Sequence, residues 1–296
     1  MAEFRKRWNA RLAACSLSEC TVSRRSFAWI RGFRNGIRLE EKWYCTPRCF
    51  EIALCNHFRH LMLSSRTSPT RTHRVPLGLL LLSRGQLAAG QLNQALDAQC
   101  TAGYGRLGDW LQKLGFSNED QIMAALGVQW SCPVLSSTQE VDPRWMSLLP
   151  RQLEESFRMV PLHFSQVNGM LHVGFAERID YTVLYAAERM LSCRTTPCLV
   201  SHRLVERAMS TSLARPTEIA FESPTDAGGV ARITCNYAVR LGAEFVRSAV
   251  CGDYLWVRLA SRRTSLDALF RISGTDSLVS SERALSLPRK STAVTE

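Results

Sequence analysis

The sequence predicts an α+β protein: a helical tandem-motif subdomain followed by a small α/β subdomain, with a Cys-rich module before them and a small C-terminal α/β domain after. Three observations carry this expectation. A stretch between residues 76 and 129 is written twice, an order of strand, strand, helix, strand, helix follows it, and two cysteine pairs lie in a basic N-terminal segment. The boundaries they suggest are a basic, Cys-rich, zinc-like module at 1–62, a linker at 63–74 and tandem helical motifs at 75–135. An α/β subdomain at 136–212, a linker at 213–229, a small α/β domain at 230–274 and a disordered tail at 275–296 complete the chain.

With 296 residues, 46% hydrophobic and 21% charged, the chain suits globular folding rather than disorder. No apolar run approaches the ~18 residues of a membrane span, and no apolar stretch of secretory length follows the basic start. A cytoplasmic protein is expected, with its eleven cysteines mostly reduced. The formal charge of +11 is unevenly placed, since residues 1–74 hold 15 Lys/Arg against 5 Asp/Glu. A segment of that sign attracts nucleic acid, anionic membrane or acidic protein, and the sign alone does not choose among them.

Within the N-terminal segment, Cys15-x4-Cys20 and Cys45-x3-Cys49 are paired at the spacing of a tetrahedral thiolate site. Deprotonated sulfurs there would hold a closed, structural zinc ion. Sixty basic residues have little core of their own, and a metal would help them fold. The competing reading is a set of scattered reduced cysteines; Cys55, His57 and His60 lie nearby as spare ligands. The polar stretch at 63–75, with Pro69 and several Ser and Thr, reads as a linker.

The repeat comes next. Two 24-residue copies at a period of 30 share Leu77/Leu107, Gly78/Gly108, Leu81/Leu111, Gly85/Gly115, Gln91/Gln121, Ala95/Ala125, Leu96/Leu126 and Gln99/Gln129. A fixed period means one supersecondary unit used twice. Each copy reads as two short helices, the first ended by its second glycine, and Ser117 is the expected N-cap of the fourth helix. A plain four-helix layer accounts for the leucines. The recurring glycines, the terminal glutamines and Arg106 at a helix start suggest a binding device with an anion site.

Farther along, Asp142 and Pro143 open a short helix that Pro150 closes. Residues 157–164 and 170–176 are strand-like runs around a hairpin signal at Gln166 to Gly169. Asp180 caps a helix, and the strand TTPCLVS and the helix HRLVERAMSTSL follow. Pro216, Pro224 and paired glycines mark the second linker. Beyond it lie a helix near 230–243, a hairpin around Cys251-Gly252 and a third strand, LDALFRI, in a unit small enough to dock or dimerise.

The tandem pattern R-L-G-x-x-L-x-x-x-G-x-x-x-x-x-x-[LI]-x-x-A-L-x-x-Q resembles the MshEN domain. That domain is the N-terminal (GspE N-terminal) regulatory module of type II secretion and type IV pilus assembly ATPases. The resemblance covers roughly residues 75–212. It implies a cyclic di-GMP ligand, a pseudo-two-fold dianion whose halves each meet one motif. Carried over by position, it implies contacts from Leu77, Gly78, Leu81, Leu92, Leu96 and Gln99 in copy one. In copy two it implies Arg106, Leu107, Gly108, Leu111, Ile122, Leu126 and Gln129. Copy one departs from the pattern, with Pro76 where the family has arginine; losing one charge-assisted hydrogen bond costs ~1.5–3 kcal/mol, or about ten- to a hundredfold in affinity. Arg74 lies two residues earlier as a substitute. Glu177 stands where the family often carries an acidic residue.

No GxxxxGK[ST] occurs, so a P-loop motor is absent from this sequence. Cys100, Cys132, Cys193, Cys198, Cys235 and Cys251 read as buried thiols, and no nucleophile–base pattern stands out, so no enzyme is expected. The leading expectation is a cyclic di-GMP-binding adaptor with a protein partner in secretion or pilus machinery. The alternatives are a zinc-dependent nucleic-acid-binding protein acting through residues 1–62, and an interaction module that has lost its ligand.

Overall fold

The computed structural model describes residues 15–20, 36–64, 74–135, 141–211, 218–221 and 226–272. In chain order, a hairpin of β1 (Ile37–Leu39) and β2 (Lys42–Tyr44) leads into α1 (Pro47–Ser64). The tandem region forms α2 (Leu77–Ser83), α3 (Ala89–Ala102), α4 (Leu107–Lys113) and α5 (Glu119–Trp130). Then come α6 (Pro143–Met146), α7 (Arg151–Phe157), β3 (Met159–Ser165), β4 (Met170–Phe175), α8 (Tyr181–Leu191), β5 (Arg194–Leu199) and α9 (His202–Thr211). The chain closes with β6 (Glu218–Phe221), α10 (Ala227–Leu241), β7 (Phe245–Cys251), β8 (Tyr254–Ala260) and β9 (Ser265–Arg271).

The two ends of the chain build one sheet, in the order β2-β1-β7-β8-β9-β6. β7, β8 and β9 are an antiparallel meander, while β1 joins β7 and β6 joins β9 in parallel. Side chains alternate along these strands. Leu255, Val257 and Leu259 of β8, with Leu266, Ala268 and Phe270 of β9, pack toward α1 and α10. α1 meets them with Phe50, Leu54 and Phe58, at the spacing of one helical face. Trp256, Leu269, Ala249 and Cys251 point the other way and share a core with Leu153 of α7 and with Val183, Leu184 and Ala187 of α8. Burial on both faces explains why the strands read as almost continuous apolar runs.

Residues 15–20 and 36–64 share a core with 226–272, and the stretch 213–229 contains β6 and the start of α10. The small unit expected at 230–274 is therefore not free-standing. α1 is built into the interior, and 10 of the 15 Lys/Arg of residues 1–74 lie outside the described residues. The expected disordered tail and most of the 63–74 linker lie outside them too. No helix of the described residues is long and apolar enough to cross a membrane.

The central unit follows its expected order. β3 and β4 pair antiparallel, β5 runs parallel to β4, and α8 and α9 complete the pattern. One helix was missed. Pro150 ends the α6 segment but also serves as the N-cap residue of α7. The missing cap comes from far away: the Glu218 carboxylate accepts the backbone N–H groups of Arg151 (2.8 Å) and Gln152 (3.2 Å).

A second polar joint locks the same layers. Asp267 accepts two hydrogen bonds from the Arg258 guanidinium, each 2.7 Å, and one from Trp256 Nε1 at 2.8 Å. Arg258 also donates to the carbonyl of Leu148 at 3.2 Å, tying the sheet to the α6–α7 turn. Asp267→Ala leaves a nearly enclosed guanidinium and an indole N–H without their acceptor, and should cost about 3 kcal/mol in urea unfolding of the full chain. Asp267→Asn, which keeps one acceptor, should cost less.

Candidate functional site

The tandem copies exchange partners in space. α2 packs on α5 and α3 on α4, so the first helix of each copy lies against the second helix of the other. Equivalent residues then make equivalent contacts. A Cβ placed on Gly78 would stand 2.7 Å from Leu92 and 3.3 Å from Leu107; one on Gly108 would stand 3.4 Å from Ile122 and 3.7 Å from Leu77. The missing side chains let the starts of α2 and α4 approach around a local two-fold axis. Gly85 and Gly115 end the first helices at φ +67° and +71°, a region that favours glycine.

The repeated glutamines have distinct jobs. Gln91 and Gln121 reach back to the backbone N–H of Ala88 (2.9 Å) and Asn118 (3.1 Å), closing the starts of α3 and α5. Asn118 is the N-cap of α5, accepting from Gln121 N at 2.8 Å, which corrects the expectation of Ser117. Ser117 is buried beside it and donates to the Gln121 side chain. Gln99 and Gln129 instead hold loops. Gln99 Nε2 donates to the carbonyl of Gly105 at 2.8 Å, and Gln129 Nε2 to that of Val75 at 2.7 Å. Each clasp fixes the residue just before the position of Arg106 or Pro76.

At those positions the copies differ. Arg106 is exposed and forms an ion pair with Glu177, which follows β4 and also lies 3.5 Å from His202 Nε2. The expected acidic partner is therefore brought to the motif arginine. In copy one, Pro76 opens α2 and the guanidinium comes from Arg74, stacked 3.4 Å from the centre of the Trp130 ring. The position equivalent to Arg74 is Tyr104, whose ring packs against Trp110 while its carbonyl accepts from Trp110 Nε1 at 3.0 Å.

Of the expected ligand-contacting residues, Leu81 and Leu111 are fully enclosed, and Leu92, Ile122 and Gly78 are buried with them. Packing accounts for their recurrence in both copies. Leu77, Leu107, Gly108 and Leu126 are half-buried, and Leu96 is 43% exposed. Arg106 is exposed, and Gln99 and Gln129 are half-buried. Leu92 and Leu81 show why sequence spacing misleads: core and ligand leucines fall on the same helical period.

At the other end of the molecule, Cys15, Cys20, Cys45 and Cys49 bring four Sγ atoms within 4.8 Å of one another. Cys20 and Cys49 are buried, and the hairpin β1–β2 carries Cys45 to the start of α1, where Cys49 N donates to Thr46 Oγ1. Burial, with neighbouring thiols, raises the Cys45 and Cys49 pKa values, so neither thiol ionises readily without a cation. A metal ion is what such a set of donors can hold. Elsewhere burial pushes Cys198 up to about 12 and Cys193 and Cys235 to about 11, which suits inert core thiols. Cys100 is exposed, against expectation.

No protein-family model matches the chain, and no curated protein matches it. Among solved structures it is similar to one of MshE with cdg, at 28% identity over 47% of this chain and 100% of that chain, with a TM-score of 0.41. It is also similar to the N-terminal domain of XpsE in two crystal forms, at 17% and 18% identity. Those alignments cover 47% and 49% of this chain and 94% and 100% of those chains, with TM-scores of 0.34 and 0.28.

One constellation escaped the sequence because its members are far apart. His57 Nε2 lies 2.9 Å from Ser248 Oγ and 3.8 Å from Glu40 Oε1, and Arg189 reaches the same Glu40 oxygen at 3.0 Å. Serine and carboxylate approach the same ring nitrogen, and Ser248 is fully buried. A nucleophile needs its base oriented from the opposite nitrogen and an open approach. The cluster is instead a joint between α1, β7, α8 and the β1–β2 turn. Burial lowers the His57 pKa, with Glu40 opposing. A base whose folded pKa is depressed contributes stability that is present above its unfolded value, about 6.5, and lost as pH falls through the folded one. Urea midpoints should therefore drop below about pH 6.5, and His57→Gln should flatten that drop.

The paired clasps give a further expectation. Gln99→Ala and Gln129→Ala should each cost about 1 kcal/mol in chemical denaturation, since each removes one neutral hydrogen bond in the same setting.

Proposed function

We propose that residues 75–211 form a non-catalytic regulatory module that binds cyclic di-GMP and passes its occupancy to a partner in secretion or pilus machinery. The observation that carries this reading is the exchange of contacts between the copies. Gly78 meets Leu107 as Gly108 meets Leu77, and the glutamine ending each copy clasps the loop that starts the other. The result is a surface with local two-fold symmetry, suited to a ligand made of two identical halves. Its open elements match that ligand's chemistry: half-buried leucines for purine faces, and guanidinium groups for phosphates and for the acceptor edge of guanine.

Arg106 supplies the guanidinium in copy two, with Glu177 aligning it. Arg74, flat on Trp130, supplies it in copy one in place of the residue that Pro76 displaces. Calorimetry on the full chain should find one site for cyclic di-GMP. Arg106→Ala should weaken binding about ten- to a hundredfold, the worth of a charge-assisted contact. Arg74→Ala should weaken it about tenfold and change the Trp130 fluorescence response to ligand. No heat from folded protein at high micromolar ligand would sink the reading; an intact affinity in Arg74→Ala would confine it to copy two.

A further inference from the structure

We propose that Cys15, Cys20, Cys45 and Cys49 bind one zinc ion as a closed, four-thiolate centre, and that this centre ties residues 15–20 to the β1–β2 hairpin and α1, the elements that pack on the C-terminal strands. The inference is independent of the cyclic di-GMP reading.

The donor geometry fits the metal. Zinc–thiolate bonds are about 2.3 Å, so a tetrahedral set places its sulfurs about 3.8 Å apart. The Sγ separations are 3.5 Å for Cys20–Cys45, 3.8 Å for Cys20–Cys49 and 4.0 Å for Cys45–Cys49, with Cys15 inside the same 4.8 Å group. Sulfurs 3.5 to 4.0 Å apart are far outside bonding range for a disulfide. An all-sulfur, four-donor set excludes the hard cations and leaves no position for a substrate or water, so the centre is structural.

The surroundings show what the ion would hold together. In residues 15–20, Ser16 N donates to Trp43 O of β2 at 2.9 Å, and Cys20 N closes a turn on Leu17 O at 3.2 Å. Cys45 ends the β1–β2 hairpin and Cys49 lies in the first turn of α1. The clamp thus joins a knuckle, a hairpin and a helix. β1 and β2 have three residues each, and β1 sits beside β7 through only the Arg38–Phe245 and Leu39–Val246 pairs. Strands that short need another restraint to keep their place in a sheet. Cys235 of α10 meets the same corner from the C-terminal side, donating to the carbonyl of Pro47 at 3.5 Å.

The test uses the full chain, expressed with zinc supplied and purified without a metal-affinity step. Elemental analysis should give about one zinc per chain, and X-ray absorption should show four sulfurs at about 2.3 Å. Removing the metal with a strong chelator after mercurial release should speed amide exchange of β1, α1 and β7 at least roughly tenfold, and leave α2–α5 unchanged. Zinc readdition should restore protection. Cys45→Ser should lower zinc content in proportion to the loss of protection, and if that variant does not fold, the chelation experiment on the unmodified chain decides. Substoichiometric zinc, oxygen or nitrogen ligands in the absorption spectrum, or unchanged exchange at β1 and β7 after stripping would overturn the proposal.

Discussion

Pairing of β1 with β7 is the constraint on which the remaining architecture depends. It joins residues near 38 to residues near 245 and turns two weak terminal segments into one sheet with both faces covered. Without α1, the face of the β7–β9 meander that packs against α10 would lose the cover of Phe50, Leu54 and Phe58. The opposite face bears on α7 and α8, so the same strands are the floor of the central unit. Cores of this kind transmit misfit readily because they are close-packed. The polar contacts placed at their edges, Asp267 with Arg258 and Glu218 with α7, fix how the layers sit on one another.

The repeat shows how a motif can record folding and binding at once. Gly85 and Gly115 recur for a backbone angle, Gly78 and Gly108 for close approach, Ala95 and Ala125 for lack of room, and Gln91 and Gln121 for helix starts. These identities would persist in a copy that bound nothing. The clasps of Gln99 and Gln129 are different in kind, because they hold loop carbonyls at the edge of the module rather than fill its centre. What a ligand would meet is the part of the repeat that folding does not need: Arg106, Leu96 and the open sides of Leu77, Leu107 and Leu126.

Local order was legible in the sequence wherever neighbours in the chain are neighbours in space. The β3–β4 hairpin, the cap at Asp180 and the turn after Cys251 depend on a few adjacent residues, and all occur where the pattern places them. The four cysteines were legible as a group from the spacing within each pair and the 24 residues between the pairs. β6 was not, since Glu218–Phe221 lies between prolines and gains its partner from β9 in parallel. The cap on α7 was hidden for the same reason, as the carboxylate that completes it is 67 residues away. The union of the chain ends could not be read from strands of three residues, which carry too little periodicity to register. Exposed and core leucines share one spacing, so only burial separates Leu96 from Leu81.

The inequality of the two motif copies is where sequence and geometry pull hardest on the functional argument. Replacing an arginine by Pro76 removes a flexible donor, but Pro also presets the backbone angle at the start of α2. Two residues earlier, Arg74 lies against an indole, and that indole directly follows the glutamine that clasps Val75. Loop, ring and guanidinium are thus fixed by one short stretch of α5. A guanidinium already stacked has less rotamer freedom to lose on meeting a ligand than one in solvent, and its edge donors remain available in the plane of the stack. Arg106, held by Glu177 across a subdomain boundary, is restrained by charge instead. The two halves reach comparable preorganisation by different means, and a two-fold ligand requires only that both donors be in place, not that they be alike.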